Sequence, residues 1–258
     1  MGIINLNDDS FYSNSRAKSI AETIKLAEKH ISGGAKFLDL GATSTRPGAE
    51  LSAPSDEYRL FPAIESLRKE FPDVFISIDT YHAQVVRRAV EAGADLINDI
   101  SGGRLDAEMF HTIAALRVPY ILMHSIETPE TMQFNPIYKD VLKEVLMQIE
   151  EKRKQLLSMG VSDIIIDPGF GFGKTLEHNF RLLAGLQNFK LLNSPVLAGV
   201  SRKSMITKSL NVPSAEALNG TTALNMYALT KGAHILRVHD AKEASETIEL
   251  FNQLAIYE

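Results

Sequence analysis

The chain has 258 residues, 45% of them hydrophobic, a formal net charge of −5 and no cysteine. One large buried core is affordable at this length, disulfides and thiolate metal centres are excluded, and the acidic balance argues against a general nucleic-acid partner. No apolar run approaches the roughly 18–20 residues that span a bilayer and no signal-peptide pattern is seen, so a cytoplasmic protein with no membrane partner is expected.

From the N-terminus onward one unit recurs: a short apolar run, a polar motif, then a stretch with helical spacing. Strands are predicted at 2–5, 36–40, 74–79, 95–98, 120–123, 163–167, 196–198 and 235–237. Between them, Ile20, Ile24, Ala27 and Ile31 fall on one helical face, as do Val141, Val145 and Ile149. Pro54-Ser55 followed by Asp56 and Glu57 reads as a helix start. Gly33-Gly34, Gly93 and Gly232 each follow a helical stretch and precede a strand, where a left-handed helix terminus calls for glycine. Continuous apolar strands joined by helices imply a parallel sheet with helices on its outside. Eight such units in this length close best as a (β/α)8 TIM barrel, one domain over residues 1–258. An open doubly wound sheet is the alternative, weakened because no GxGxxG follows the first strand.

In a barrel the C-terminal strand ends share one face, and chemistry happens there. The first strand ends at Asn5, before Asn7, Asp8, Asp9 and Ser10. This is either a polar turn or a source of a neutral oxygen ligand for a hard cation such as Mg²⁺. The second leads into Asp39-Leu40-Gly41-Ala42-Thr43-Ser44-Thr45-Arg46-Pro47-Gly48, a donor-rich loop whose Arg46 suits phosphate or carboxylate. Asp79 and Asn98 end the third and fourth strands. Each could cap the next helix, or the pair could offer a carboxylate and an amide to one heterocycle. The sixth strand gives Asp167-Pro168-Gly169-Phe170-Gly171-Phe172-Gly173-Lys174-Thr175. Its glycines allow close backbone approach and its phenylalanines can line an aromatic slot. A phosphate-binding GxxxxGK[ST] would need glycine at Pro168, so that reading is rejected. Gly199-Val200-Ser201-Arg202-Lys203-Ser204 reads as an anion site ahead of a helix. Arg237 and His239, two residues apart, point to one side, and with Asn5 and Arg46 would suit a diphosphate. Polar motifs after seven of eight predicted strands are hard to explain by stability alone.

Together the motifs MGIINLNDDSF (1–11), DLGATSTRPG (39–48), SIDT (77–80), INDISGG (97–103), MH (123–124), DPGFGFGK (167–174), SRKS (201–204) and RVHD (237–240) resemble the dihydropteroate synthase family over essentially the whole chain. The resemblance implies a transferase of folate biosynthesis. It would condense 6-hydroxymethyl-7,8-dihydropterin diphosphate with 4-aminobenzoate, assisted by Mg²⁺, and would be a sulfonamide target. By motif it puts Asp79, Asn98, Met123, Asp167 and Lys203 at the pterin. Asn5, Arg46, Arg237 and His239 fall at the diphosphate, with Asn5 also on the metal. Ser44, Thr45, Arg46, Pro47, Phe170 and Ser204 surround the aminobenzoate. Asp79, Lys203, Arg237 and His239 carry the catalysis, without an enzymic nucleophile. The family tends to dimerise, so a homodimer is expected. Two features depart from its pattern: Asn7-Asp8 stands where Thr-Pro is usual, and Met1 opens the first predicted strand where a further strand segment commonly comes before the MGI motif, so either the bottom of the barrel is less covered or the chain is trimmed. Two rivals follow: a pterin-dependent methyltransferase and a pterin-binding protein without activity.

Overall fold

The computed structural model describes residues 1–6, 17–42, 53–126 and 136–257. Six parallel strands form one continuous sheet: β1 (Gly2–Asn5), β2 (Phe37–Gly41), β3 (Phe75–Asp79), β4 (Leu96–Asp99), β5 (Tyr120–Met123) and β6 (Ile164–Asp167). Two shorter strands, β7 (Leu197–Ala198) and β8 (Ile235–Leu236), pair with each other, again in parallel. Single parallel bridges join the two sheets, Ile166 to Val196 and Gly2 to Val238. Around the second, Ile3 N donates to Val238 O at 3.0 Å and Val238 N to Met1 O at 2.9 Å. The ring therefore closes, and the fold is the (β/α)8 barrel rather than the open sheet.

The helices among the described residues are α1 (Ile20–Ser32), α2 (Leu60–Glu70), α3 (Ala83–Glu91), α4 (Met109–Leu116), α5 (Val141–Ser158), α6 (Leu176–Ala184), α7 (Ser204–Leu210), α8 (Leu218–Thr230) and α9 (Ala241–Leu254). None is long and apolar enough to cross a membrane. Caps set several starts: the Ser19 side chain accepts from Glu22 N, and Thr175 and His178 form a reciprocal capping box at α6.

The expected face of α5 is right, with Val141, Val145 and Ile149 all buried. On α1 Ala27 is buried and Ile24 and Ile31 pack against the core as expected, joined by buried Thr23 and His30, while Ile20 lies 42% exposed. His30 Nε2 lies 3.0 Å from Ile3 O and ties the helix to β1. Pro54–Glu57 is a single 3₁₀ turn, and the α-helix starts only at Leu60. Of Gly33-Gly34, only Gly34 has a positive φ, 91°, as have Gly93 and Gly232 at 110° and 88°. Strands β7 and β8 stop at Ala198 and Leu236, so Arg237 follows the ladder instead of belonging to it.

Candidate active site

Parallel register lines up the strand ends. Asn5 pairs with Gly41, Gly41 with Asp79, Asp79 with Asn98 and Asn98 with Ile121, one residue from each of five neighbouring strands. Side chains of a strand alternate between barrel interior and exterior, so this row and the one two residues earlier share the inside. Glycines keep the interior open there. A Cβ at Gly41 would lie 3.5 Å from Asp79 Cβ and 3.8 Å from Asn5 Oδ1. One at Gly199 would lie 3.7 Å from Lys203 Nζ and 3.9 Å from Arg237 Cβ.

The centre of the arrangement is a residue to which sequence reasoning gave no role. Asp39, fully buried in mid-strand, accepts from Arg237 Nε at 2.6 Å, Ser77 Oγ at 2.5 Å and Asn98 Nδ2 at 3.1 Å. Arg237 Nη2 donates to Asp79 Oδ2 at 2.8 Å. The signal was available: 39 is an inward position of a strand whose other inward positions are 37 and 41, and a buried carboxylate needs partners. The helix-capping reading of Asp79 and Asn98 fails, since both spend their side chains across the barrel and α3 starts from His82.

Burial raises the Asp79 carboxyl to about 7, with Arg237 opposing and Asp39 adding to the rise. For Arg237 burial acts downward, but Asp39 and Asp79 outweigh it and hold the guanidinium firmly charged. Two of its nitrogens are committed to carboxylates, and Nη1 carries no bond among the described residues. His239 sits against Ser201: the serine oxygen accepts from His239 N at 3.2 Å and lies 3.0 Å from His239 Nδ1. The hydroxyl can donate to Nδ1 or accept from it, according to the imidazole tautomer. Burial first, then Arg237, lowers His239 to about 3, so the ring is neutral at physiological pH.

On the opposite side, Asp167 Oδ1 accepts from Gly169 N at 2.7 Å. Burial raises its pKa, against the pull of Lys203. Lys203 Nζ donates to Phe170 O at 2.5 Å and lies 4.9 Å from the Phe172 ring centroid. Burial lowers this lysine to about 8, with Asp167 opposing. Met123 is buried and pairs in register with Asp167. Phe170 has its ring wholly in the core, so what it offers the site is its carbonyl, and the half-buried aromatic of this turn is Phe172. Ser204 is exposed at the start of α7.

Arg202 does not belong to an anion site. Its Nε and Nη2 engage Asp240 at 2.8 and 2.9 Å, and Nη1 donates to Ser214 O and Ala215 O. The guanidinium is a strut between the loops after β7 and β8, held on a backbone with φ of 55°. Ser44, Thr45, Arg46 and Pro47 lie outside the described residues, as do Asn7 and Asp8. Among the described residues no group of three or more His, Asp or Glu could hold a metal ion.

The pterin-binding enzyme family model matches residues 1–239. The dihydropteroate synthase of Escherichia coli (strain K12) is 41% identical over 257 residues, 97% of this chain and 89% of the relative. A crystal structure of Yersinia pestis dihydropteroate synthase with a sulfonamide drug complex superimposes with a TM-score of 0.94 at 34% identity, covering 100% of this chain and 93% of that one. The Thermus thermophilus enzyme in complex with 4-aminobenzoate gives 0.87 at 35% identity, with 98% and 93% covered. The inward ring of charged strand ends thus sits in a fold and a sequence shared with those enzymes, and the chain belongs to the pterin-binding enzyme family.

Proposed function

We infer that this chain is a dihydropteroate synthase, joining 6-hydroxymethyl-7,8-dihydropterin diphosphate to 4-aminobenzoate and releasing pyrophosphate. The observation that carries the reading is the Asp39–Arg237–Asp79 chain of ion pairs inside the barrel mouth, with Asp167 and Lys203 across from it.

Asp167 accepts from the 2-amino and N3 edge of the pterin; Gly169 N uses one lone pair of Oδ1, and both carboxylate oxygens keep acceptor capacity. Asn98, turned by Asp39, and Lys203, held by Phe170 O, meet the rest of the ring's polar edge, with Met123 beneath. The C–O bond to the diphosphate breaks, the amine nitrogen bonds to the pterin methylene, and the amine loses one proton to water. Arg237 Nη1 and, in its Nε2–H tautomer, the neutral His239 donate to the departing diphosphate, and Asp39 fixes the guanidinium plane so that no reorganisation is needed. Asp79 would help to stabilise a cationic methylene. By the motif resemblance, Ser44, Thr45, Arg46, Pro47 and Ser204 would meet the aminobenzoate.

The protein's own donors suit Mg²⁺ only as a shared ion. Asn5 Oδ1 beside the opening at Gly41 supplies one neutral oxygen, and the diphosphate must bring the rest. Bound there, the ion would neutralise charge on the leaving group.

The test is pyrophosphate release from the pterin diphosphate with and without 4-aminobenzoate. Release that needs the amine, and competitive inhibition by a sulfonamide against it, is the expected result. Binding without release would favour a pterin-binding protein, and methyl transfer from a folate would favour the methyltransferase.

A further inference from the structure

Behind the β6 turn lies a cation to which the reaction above assigns no role. Lys174 is 8% exposed. Its ammonium is ringed by acceptors: Gly169 O and Phe172 O at 2.9 Å each, His124 Nδ1 at 3.0 Å and His124 O at 3.4 Å. Gln148 Oε1 lies 3.2 Å from His124 Nε2, which puts the imidazole proton there and leaves the Nδ1 lone pair for the lysine. With an acceptor at each of these contacts, the three-proton form is the one the ring fits. Burial works against that form, lowering Lys174 to about 7, with Asp167 opposing and Lys203 reinforcing.

The backbone around this cation is unusual. Gly169, Gly171 and Gly173 have φ of 72°, 84° and 58°. A Cβ at Gly169 would lie 2.0 Å from His124 O, so only glycine fits there. The turn points two carbonyls inward at one spot, an arrangement that needs a compensating positive charge. Its other groups engage the site residues: Gly169 N donates to Asp167, and Phe170 O accepts from Lys203. Asn179 ties the turn from outside, accepting from Gly171 N at 2.7 Å and donating to Lys174 O.

We propose that Lys174 is a positioning residue, an internal cation around which the 169–173 turn is folded so that Asp167 and Lys203 face the pterin. The inference rests on the function proposed above. The experiment measures pyrophosphate release by the full chain and its Lys174→Ala and Lys174→Met variants, with KM for each substrate, and repeats the alanine variant in ethylammonium chloride against equal sodium chloride. The expected result is a KM for the pterin diphosphate raised about tenfold or more in both variants, with the aminobenzoate KM within about threefold. Ethylammonium should restore about fivefold in kcat/KM to the alanine variant, where the cage is vacated, and nothing to the methionine variant, where it is filled. A lowered Tm with unchanged pterin KM, equal loss of both KM values, no amine rescue, or loss of soluble protein in both variants would overturn the proposal in favour of a purely structural lysine. Failure of the underlying function reads differently, as absence of aminobenzoate-dependent release in the unsubstituted protein.

Discussion

The two ends of the barrel interior are built on the same strands, two residues apart, and have opposite chemistry. At the N-terminal end Met1, Leu96, Ile121 and Leu197 cluster, with Phe37, Ile165 and Ile235 packed against them. One alternation step further along those strands stand Asp39 after Phe37, Asn98 after Leu96, Asp167 after Ile165 and Arg237 after Ile235. The side chains of the apolar end are stabilised by burial. The polar end is buried too, and there burial works against the charged forms, raising Asp79 and Asp167 and lowering Lys203. Stability and chemistry are thus divided along each strand rather than between domains, with the apolar plug offsetting what the charged ring costs.

The largest effect should come from removing the cation of the ring. Arg237→Met leaves Asp39 and Asp79 buried without their guanidinium, and urea unfolding should read a loss of about 3–5 kcal/mol together with abolished pyrophosphate release. A loss below about 1 kcal/mol would mean that water already screens the ring, and the comparison would fail. Next, Ile121→Ala in the plug should cost about 2–5 kcal/mol of stability with both KM values unchanged. A shifted pterin KM would show that the two ends are coupled.

Asp79→Asn should do the reverse, lowering kcat/KM about a hundredfold without loss of stability at neutral pH. The sign follows from linkage: the folded value, about 7, lies above the ordinary 3.8, so the fold favours the protonated form, and that stability is lost as pH rises from about 4 to 7. The variant lacks this dependence, so its Tm relative to the unsubstituted chain should climb over that interval; a constant difference would contradict the assignment. Smallest, Ser77→Ala removes one donor to Asp39 and should cost about 1–2 kcal/mol with a few-fold change in kcat/KM.

Much of this division was legible in the residues. Eight apolar runs at barrel spacing placed the strands, and the polar motifs after seven of them marked the working face. Asp79, Asn98, Asp167 and Lys203 are found around one interior as expected. What the sequence hid was connectivity through space. Asp39 sits inside a strand whose motif draws attention to the loop that follows, and its partners Ser77, Asn98 and Arg237 are 38, 59 and 198 residues away. Arg202 looked like an anion ligand because two cations stood together; only the return of the chain at Asp240 and Ser214 shows that it is consumed. On α1 the apolar spacing found Ile24, Ala27 and Ile31 but not His30, a polar side chain that is also buried and finds a backbone acceptor on β1.

The central claim is that the charged end of the barrel receives a pterin through Asp167. Calorimetric titration of the pterin diphosphate into the Asp167→Asn variant and the unsubstituted chain tests it most directly. The amide nitrogen would meet the pterin 2-amino group donor to donor, so affinity should fall about a hundredfold, with Tm unchanged or raised because a buried carboxylate has been neutralised. Affinity within about twofold of the unsubstituted chain would contradict the account, since one lost charge-assisted hydrogen bond is expected to exceed that.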